Sequence, residues 1–310
     1  MTAIPAEVQA LADQRLAARA AKDWALSDEL RTAISDAGWI VADTSQGYTL
    51  TPKPLFSQFA TLAAVPESDA SLESELVSID LIVDGWPEDV TTCVQALCAF
   101  MPSNARISVL ELGNVDGAGE VLEKLASADS RISVIHVAQT LSECGWAAAV
   151  TKMLRINNAA AHVVMDISTV LSGDAITPLV DALGGGVVVA GWRGVNVKLD
   201  DEWRSFSDAA AGEVDAVLSY LFAVDTAAAR ATGPDLKAKF YRNADLEWSL
   251  RLRLAGGKVV VPTNDLPCAQ ARHHGYHDTD SVYRDRESRK TYDRLLKSFR
   301  HKPEILAPRH

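Results

Sequence analysis

The sequence predicts an α/β protein with a mostly parallel sheet flanked by helices and a small helical appendage at the N-terminus. From Leu76 onward, apolar runs of strand length alternate with helical stretches, which is typical of parallel sheets joined by right-handed crossovers. In the first 35 residues, apolar positions recur at helical spacing instead. These patterns divide the chain into an appendage at 1–50, a linker at 51–75, an α/β domain at 76–280 and a basic helix and tail at 281–310.

The composition excludes several classes of protein. Of the 310 residues, 48% are apolar and 23% are charged, which is ordinary for a globular protein in water. The net charge of −11 argues against a general nucleic-acid binder, because affinity for phosphates requires a basic surface. Neither a signal peptide nor an apolar run of ~20 residues is present. Because the four cysteines form no C-x-x-C pair, we expect free thiols in a cytoplasmic protein.

Charge is distributed unevenly along the chain. Residues 281–310 contain nine Lys or Arg and four Asp or Glu, a net charge of +5, so the remainder carries −16. This segment is predicted to form an amphipathic helix with Tyr283, Leu295, Leu296 and Phe299 on its apolar side. Its basic side is solvated by default, and peripheral contact with a membrane surface is the alternative.

The appendage is predicted to contain two helices and a short hairpin. Gly38 ends the second helix, and strands at 39–43 and 48–50 follow around a turn. The apolar positions at helical spacing are Leu11, Leu16, Ala20, Trp24, Leu26, Leu30 and Ile34.

This appendage resembles the extreme C-terminal segment of cysteinyl-tRNA synthetases. The matching residues run from Arg19 to Arg31 and from Gly38 to Tyr48, in the family's order and spacing. The chain has no H-x-G-H, K-M-S-K or zinc-binding cysteine motif, so we expect no amino-acid activation. The resemblance implies a reused helical pair for packing or oligomerisation, with contact to RNA as the alternative. Five basic against seven acidic residues before residue 60 disfavour RNA.

Four predicted strands alternate with helices along the α/β domain. The strands are 77–83, 106–112, 131–137 and 162–166, and the helices are 88–100, 120–128 and about 146–157. Binding sites in parallel sheets lie at the carboxyl ends of the strands. The acidic residues at those ends are Asp84, Glu111, Asp116 and Asp166.

The segment from Phe240 to Pro262 is the most informative for function. An aromatic-led loop precedes a helix that starts with Asp245 and Glu247, ends at Gly256-Gly257 and gives way to a Val-rich strand. A histidine pair, His273 and His274, follows this strand. Carboxylates at a helix N-terminus are favoured by its partial positive charge, and such an end can present an acidic group into a cleft.

This order of carboxylate, helix, glycine, strand and histidine resembles the acceptor half of inverting family 2 glycosyltransferases, which have the GT-A fold. The resemblance implies a nucleotide-diphospho-sugar donor, a Mg²⁺ or Mn²⁺ ion, and an acceptor that is a glycan, lipid or protein. In that family, an Asp of a Glu-Asp pair is the general base, and a later His completes the metal site. Asp245 matches the base, Arg251 the helix arginine, and His274 or its neighbour His273 the later histidine.

The resemblance also assigns the remaining site residues. A landmark glycine before a helix is kept as Gly145, and the segment from Gly184 to Gly194 matches the strand and turn where the backbone approaches donor or acceptor. The implied donor-binding residues are Asp84, Glu111, Asp116, Gly145, Asp166 and Arg193. The implied acceptor-side residues are Trp192, Glu247, Trp248 and Arg251. The implied metal ligands are Asp166, Ser168 and His274.

The chain departs from the family's pattern at two positions. The Asp-x-Asp metal motif reads Asp166-Ile167-Ser168, so a hydroxyl replaces one carboxylate and affinity for a hard cation should fall. The Glu-Asp pair reads Ala244-Asp245, which leaves the pKa of Asp245 less raised. Two rival functions follow. One is a degenerate transferase fold that binds a nucleotide sugar or glycan without turnover, and the other is an adaptor whose appendage engages tRNA or a synthetase.

Each candidate residue also has a purely structural interpretation. Asp166 could cap a turn after its strand, and Asp245 and Glu247 could serve only the dipole and cap of their helix. Either histidine could be structural as well. The common order of Glu111, Gly145, Asp166, Asp245 and His274 over some two hundred residues favours the functional interpretation.

Overall fold

The computed structural model describes residues 4–44, 47–53 and 56–309, and the chain divides into two compact units, 1–57 and 58–310. The small unit contains α1 (Ala6–Ala20), α2 (Trp24–Asp36) and an antiparallel hairpin of β1 (Trp39–Thr44) and β2 (Gly47–Pro52). The two predicted helices and the hairpin are therefore confirmed.

The small unit has a core of its own. The Asp23 carboxylate caps α2 by accepting a hydrogen bond from the Leu26 amide at 3.1 Å, because the first amides of a helix lack partners within it. Arg15 is only 3% exposed and binds Asp43 through two hydrogen bonds of 2.7 and 3.1 Å, which fastens α1 to β1. The buried apolar residues are Val8, Ala12, Ile34, Trp39 and Val41.

The large unit is built on a mixed sheet that has eight strands among the described residues. The strands of the unit are β3 (Glu73–Val83), β4 (Ala105–Leu112), β5 (Ile132–Val137), β6 (Ala159–Met165), β7 (Thr169–Leu171), β8 (Val187–Gly191), β9 (Gly194–Val197), β10 (Phe206–Ala209), β11 (Gly212–Glu213), β12 (Ala216–Val217), β13 (Leu221–Asp225), β14 (Lys258–Val261) and β15 (Cys268–Gln270). The order in the sheet is β11-β14-β8-β13-β6-β3-β4-β5.

The strand directions explain where a ligand site can form. β3 pairs in parallel with β4 and β6, β4 with β5, and β14 with β8, which confirms the mostly parallel sheet. β13 runs antiparallel between β6 and β8. It follows the short strands β9 to β12 without a crossover helix, so nothing in its connection requires a parallel direction.

Helices cover both faces of this sheet. They are α3 (Pro87–Phe100), α4 (Ala118–Ala128), α5 (Leu141–Cys144), α6 (Trp146–Ile156), α7 (Thr177–Asp181), α8 (Thr226–Ala231), α9 (Ala244–Leu254), α10 (His274–His277) and α11 (Ser281–Phe299). Successive strand residues point to opposite faces. Leu221 and Ala223 of β13 accordingly join a core with α3, α4 and α7, whereas Phe222 and Val224 join a core with α6, α8 and α9.

The basic C-terminal segment belongs to the core of the large unit. Asp280 caps α11 by accepting from the Tyr283 amide at 2.8 Å. Leu295 and Phe299 are buried against Leu246 and Leu250 of α9, so the predicted amphipathic helix packs its apolar side on the α/β fold.

Residues 58–65, which the sequence predicts as part of a linker, also pack on the large unit. Phe59 exchanges backbone hydrogen bonds with the segment 136–138, and Leu62 and Val65 are buried beside Leu110 and Val137. The domain boundaries themselves stay a prediction. Among the described residues, no helix has the length and apolar character needed to cross a membrane.

Candidate active site

Two adjoining cavities of about 460 Å³ each lie in the large unit, beyond the carboxyl ends of β3 and β6. Ser219, Tyr241 and His273 line both cavities and form their common wall. The first cavity contains Asp84, Trp146, Asp166, Lys239, Phe240 and Tyr283. The second contains Arg242, Asn243, Asp245, Gln270, Arg272 and Tyr276.

The first cavity concentrates negative charge. Asp84 follows β3 and Asp166 follows β6, and because these strands are parallel neighbours their carboxyl ends meet. Burial, together with the Asp166 charge, raises the pKa of Asp84 to about 7. The Asp166 carboxylate accepts hydrogen bonds from the Ser168 amide at 2.9 Å and from the Ser168 hydroxyl. The structure therefore brings three of the predicted residues, Asp84, Asp166 and Ser168, to one place.

His273, rather than its neighbour His274, lies beside Asp166. Its Nε2 atom is 3.5 Å from Asp166 Oδ2, and its ring stacks on Tyr241 with the ring centres 4.9 Å apart. Burial lowers the pKa of His273, although the Asp166 charge opposes this, so the neutral imidazole is favoured. The structure therefore places His273 beside Asp166, where the resemblance implies His274, since these two adjacent residues point in different directions.

His274 has partners of its own outside both cavities. Its ring stacks on Trp86 with the ring centres 6.1 Å apart, its Nδ1 is bound to Asp278, and its Nε2 lies 3.7 Å from Asp89. These contacts turn the His274 ring toward Asp89 and Asp278, and its role as a metal ligand stays a prediction.

Asp245 is the buried carboxylate of the second cavity. It lies at the start of α9, where its Oδ2 accepts from the Ser219 amide at 2.9 Å and its Oδ1 from the Leu246 amide at 2.8 Å. Burial raises its pKa to about 6, partly offset by these hydrogen bonds. A carboxylate with this pKa is ionised at neutral pH and is a stronger base than an exposed aspartate.

The predicted acceptor-side residues of α9 face away from the cavities. Glu247 is buried and forms two hydrogen bonds of 2.6 and 2.5 Å with Arg294 of α11. Burial raises its pKa, and Arg294 opposes the rise. Trp248 is buried and donates to the Thr232 carbonyl at 2.7 Å, while Arg251 donates to the Gly233 carbonyl at 3.1 Å. All three hold α9 in place and line neither cavity.

Glu111 is likewise removed from the cavities. It is fully buried at the end of β4, where its carboxylate binds His136 Nδ1 at 2.9 Å. His136 Nε2 binds Glu123 at 2.9 Å. Burial lowers the pKa of His136, but the hydrogen bonds to the two glutamates outweigh it and raise the pKa. Glu111 thus takes part in an internal ion pair, and its role in donor binding stays a prediction.

Gly145 shapes the first cavity through its backbone. Its φ of 91° suits glycine, and a side chain there would come within 2.5 Å of Lys239 Cδ. The close approach lets the Trp146 amide donate to the Lys239 carbonyl at 3.0 Å and lets Lys239 Nζ donate to the Cys144 carbonyl at 2.8 Å. Gly145 therefore positions a cationic side chain at the cavity wall.

Three other predicted residues lie outside the cavities. Asp116 is exposed in the turn after β4, near the glycine that follows Asp84. Trp192 is buried in the core, and the exposed Arg193 lies over its ring at 4.6 Å. None of them lines the two cavities.

Sequence reasoning missed Lys239, Tyr241 and Tyr283 as site residues. Tyr241 lies in the aromatic-led loop that begins at Phe240, and Lys239 directly precedes this loop, so its aromatic start is the one indication in the sequence. Tyr283 was predicted as the apolar side of the C-terminal helix, and it lines the first cavity from α11. These three side chains add one positive charge and two phenols to an otherwise acidic cavity.

Comparison with known proteins supports two resemblances. No protein-family model matches the chain. Over 49 residues it is 53% identical to a cysteine–tRNA ligase from Opitutus terrae, and over 44 residues 57% identical to one from Leuconostoc citreum. These matches cover 16% and 14% of the chain but only 11% and 9% of the relatives, so the chain spans about a tenth of their length.

Solved structures resemble most of the chain. One is the mannosyltransferase PcManGT from Pyrobaculum calidifontis in complex with GDP-Man and Mn²⁺. The match has a TM-score of 0.55 and 13% sequence identity, and it covers 79% of this chain and 72% of the mannosyltransferase chain. Another is GalNAc-T7 with UDP, GalNAc and Mn²⁺, which matches with a TM-score of 0.55 and 11% sequence identity. This match covers 72% of this chain and 48% of the GalNAc-T7 chain. The predicted resemblance is confirmed at the level of architecture: the chain has the GT-A fold of glycosyltransferases, with a short segment similar to cysteine–tRNA ligases.

Proposed function

We propose that this protein transfers a sugar from a nucleotide diphosphate donor to an acceptor hydroxyl, with inversion at the anomeric carbon. The first cavity would bind the donor and the second the acceptor. The observation that carries the proposal is the common wall of the two cavities, which has acidic groups and Lys239 on one side and Asp245 on the other. A reaction between two bound molecules requires such an arrangement, since the reacting atoms must be held together.

Asp245 would act as the general base. Its raised pKa of about 6 and its position at the wall of the acceptor cavity suit removal of a proton from an attacking hydroxyl. The amides of Ser219 and Leu246 fix the orientation of the carboxylate while leaving it further lone pairs for the acceptor. Attack from this side of the common wall, opposite the departing diphosphate, would invert the anomeric carbon.

The donor's diphosphate would be neutralised in the first cavity. Lys239 supplies one positive charge there. The described residues form no group of three His, Cys, Asp or Glu that could hold a metal ion alone. Asp166 and His273, with atoms 3.5 Å apart, fit an ion that completes its coordination with phosphate oxygens, as Mg²⁺ commonly does. Such a Mg²⁺ or Mn²⁺ ion, when bound, supplies charge stabilisation for the leaving diphosphate.

A second candidate function is binding without turnover. It is favoured by the hydrogen bonds of Ser168 to Asp166, which occupy an oxygen of the one remaining carboxylate of the metal motif. Firm binding of a nucleotide sugar, with neither transfer nor donor hydrolysis under any condition, would support this candidate over the transferase.

Thermal-shift titration against GDP, UDP and their sugar conjugates, with and without Mn²⁺, tests donor binding. A ligand at a hundred times its Kd stabilises a protein by about 2.7 kcal/mol, so we expect the Tm to rise by roughly 5–10 °C. The rise should be larger with Mn²⁺, and Asp166→Asn should remove the metal-dependent part. A flat response over the whole panel, with and without metal, would contradict the proposal.

A further inference from the structure

We propose that the acceptor carries an anionic group, a phosphate or a carboxylate, which binds in a groove of arginines beside the acceptor cavity. This inference rests on the proposed function, because it names the chemical class of acceptor for the same site. It concerns residues that the resemblance to glycosyltransferases does not assign.

The groove continues from the acceptor cavity. Arg242, Asn243 and Tyr276 line both the cavity and a neighbouring groove of about 500 Å³. The other wall of this arginine groove comes from α11 and consists of Arg284, Asp285, Ser288, Arg289 and Tyr292. A molecule with its hydroxyl near Asp245 can therefore extend into the groove without crossing a barrier of protein.

Tyr276 orders two of the guanidinium groups. The centre of the Arg284 guanidinium lies 4.4 Å from the centre of the Tyr276 ring, and that of Arg242 lies 5.1 Å away. Arg242 also donates to the Tyr276 hydroxyl at 2.6 Å, and Arg284 to the Tyr276 carbonyl at 2.8 Å. These contacts hold the two guanidinium groups along the groove. Because the side chains are already ordered, they lose little further conformational entropy when a ligand binds.

Two of the groove's arginines have no carboxylate partner in the part of the chain that the structure describes. Arg242 is bound only to Tyr276, and Arg289 has no ion pair there. Other arginines of the same unit do have a carboxylate partner: Arg294 binds Glu247, and Arg253 binds Glu213. An arginine held in a concave surface without an internal carboxylate is available for an external one.

The charge of the groove is opposite to that of the whole protein. Its lining has three arginines, Arg242, Arg284 and Arg289, and one acidic residue, whereas the chain as a whole carries −11. That acidic residue, Asp285, accepts a hydrogen bond from Arg284 Nε at 3.0 Å, so the charges of Arg242 and Arg289 remain unmatched in the groove. A local basic patch on an acidic protein selects anions at that place instead of attracting them everywhere. Planar guanidinium groups also match the two oxygens of a phosphate or carboxylate, which a single point charge does not.

The test uses three probes with the same sugar ring and different charge: glucose, glucose 6-phosphate and glucuronate. Each is titrated into the full chain saturated with GDP or UDP, so that phosphate cannot enter the donor cavity, and binding is followed by NMR. We expect the two anionic probes to bind about tenfold more tightly than glucose at low salt, and less tightly as NaCl is added. A preference for only one of the two anions identifies which group the acceptor carries.

Variants locate this preference in the groove. The double variant Arg242→Gln with Arg289→Gln should bind all three probes equally while its affinity for GDP or UDP is unchanged. Lys297→Gln removes one charge from the same helix outside the groove and should keep the preference. Equal binding of neutral and anionic probes to the unaltered protein would overturn the inference, as would a preference that survives in the double variant. Failure of GDP and UDP to bind at all would instead contradict the proposed function.

Discussion

The carboxyl ends of β4 and β6 carry the same kind of side chain in opposite situations. At the end of β4, Glu111 is fully buried and its charge is matched by His136. At the end of β6, Asp166 is 25% exposed and faces a cavity. Its neighbours there include the Ser168 donors, His273 and a second carboxylate, Asp84. A carboxylate paired inside the protein holds the fold, whereas one that faces a cavity without a cation is suited to an external ligand.

The same contrast occurs within α9. Asp245 and Glu247 are two residues apart and both are buried, but only Glu247 is bound by an arginine. Asp245 is held by backbone amides and lines the second cavity. The comparison therefore supports the proposal that Asp245 serves catalysis and Glu247 stability.

Asp245→Asn should give the largest effect on activity. The amide retains the size of the side chain but cannot accept a proton at this position, so transfer should fall by about 10²–10⁴-fold. Affinity for GDP or UDP should barely change, because Asp245 lines the second cavity and not the first, which is the proposed donor site. Steady-state kinetics and nucleotide titration measure the two quantities. Transfer that persists undiminished in the variant would refute the catalytic assignment.

Arg294→Met should give the largest effect on stability. It leaves Glu247 buried without its cation, and breaking a buried pair in this way lowers the free energy of unfolding by about 3–5 kcal/mol. Arg300→Met is the matched control, since Arg300 pairs with the exposed Glu202 and should cost at most about 1 kcal/mol. Chemical denaturation measures both variants. Equal losses in the two would show that the Glu247 pair contributes no more than a surface contact.

The pH dependence of transfer should report Asp245. Its folded pKa is about 6, so the carboxylate is the active base above this pH and is progressively protonated below it. With donor and acceptor saturating, kcat should level off above pH 6 and fall about tenfold for each pH unit below it. A kcat that is constant between pH 4.5 and 8 would rule out a base with this pKa.

The sequence predicts more of the fold than of the candidate site. Runs such as Val77–Val83 and Arg106–Leu112 are read correctly as strands because apolar residues recur at alternate positions within each run. The antiparallel direction of β13 was not predicted, because it depends on pairing with β6 and β8 and leaves no local pattern.

The sequence predicts where along the chain the site residues lie, but not which side chains they contact. Asp166 and Asp245 are predicted from the ends of a strand and a helix, because these ends determine the position of each residue's backbone. That Glu111 would meet His136, 25 residues later, depends on the neighbouring strand β5 and cannot be seen locally. Likewise, sequence places His273 and His274 side by side, whereas the turn into α10 decides which one faces Asp166. Partners formed by tertiary structure thus decide which carboxylates are paired inside the protein and which face a cavity.

The most direct test compares Asp166→Asn with Glu111→Gln in calorimetric titrations of GDP and UDP in the presence of Mn²⁺. We predict that Asp166→Asn weakens binding about tenfold or more and leaves stability nearly unchanged. Glu111→Gln should keep the affinity within about twofold but lower the free energy of unfolding by about 1–3 kcal/mol, because His136 loses its buried partner. The reverse result, in which Glu111→Gln weakens nucleotide binding and Asp166→Asn does not, would contradict the assignment of these two strand ends.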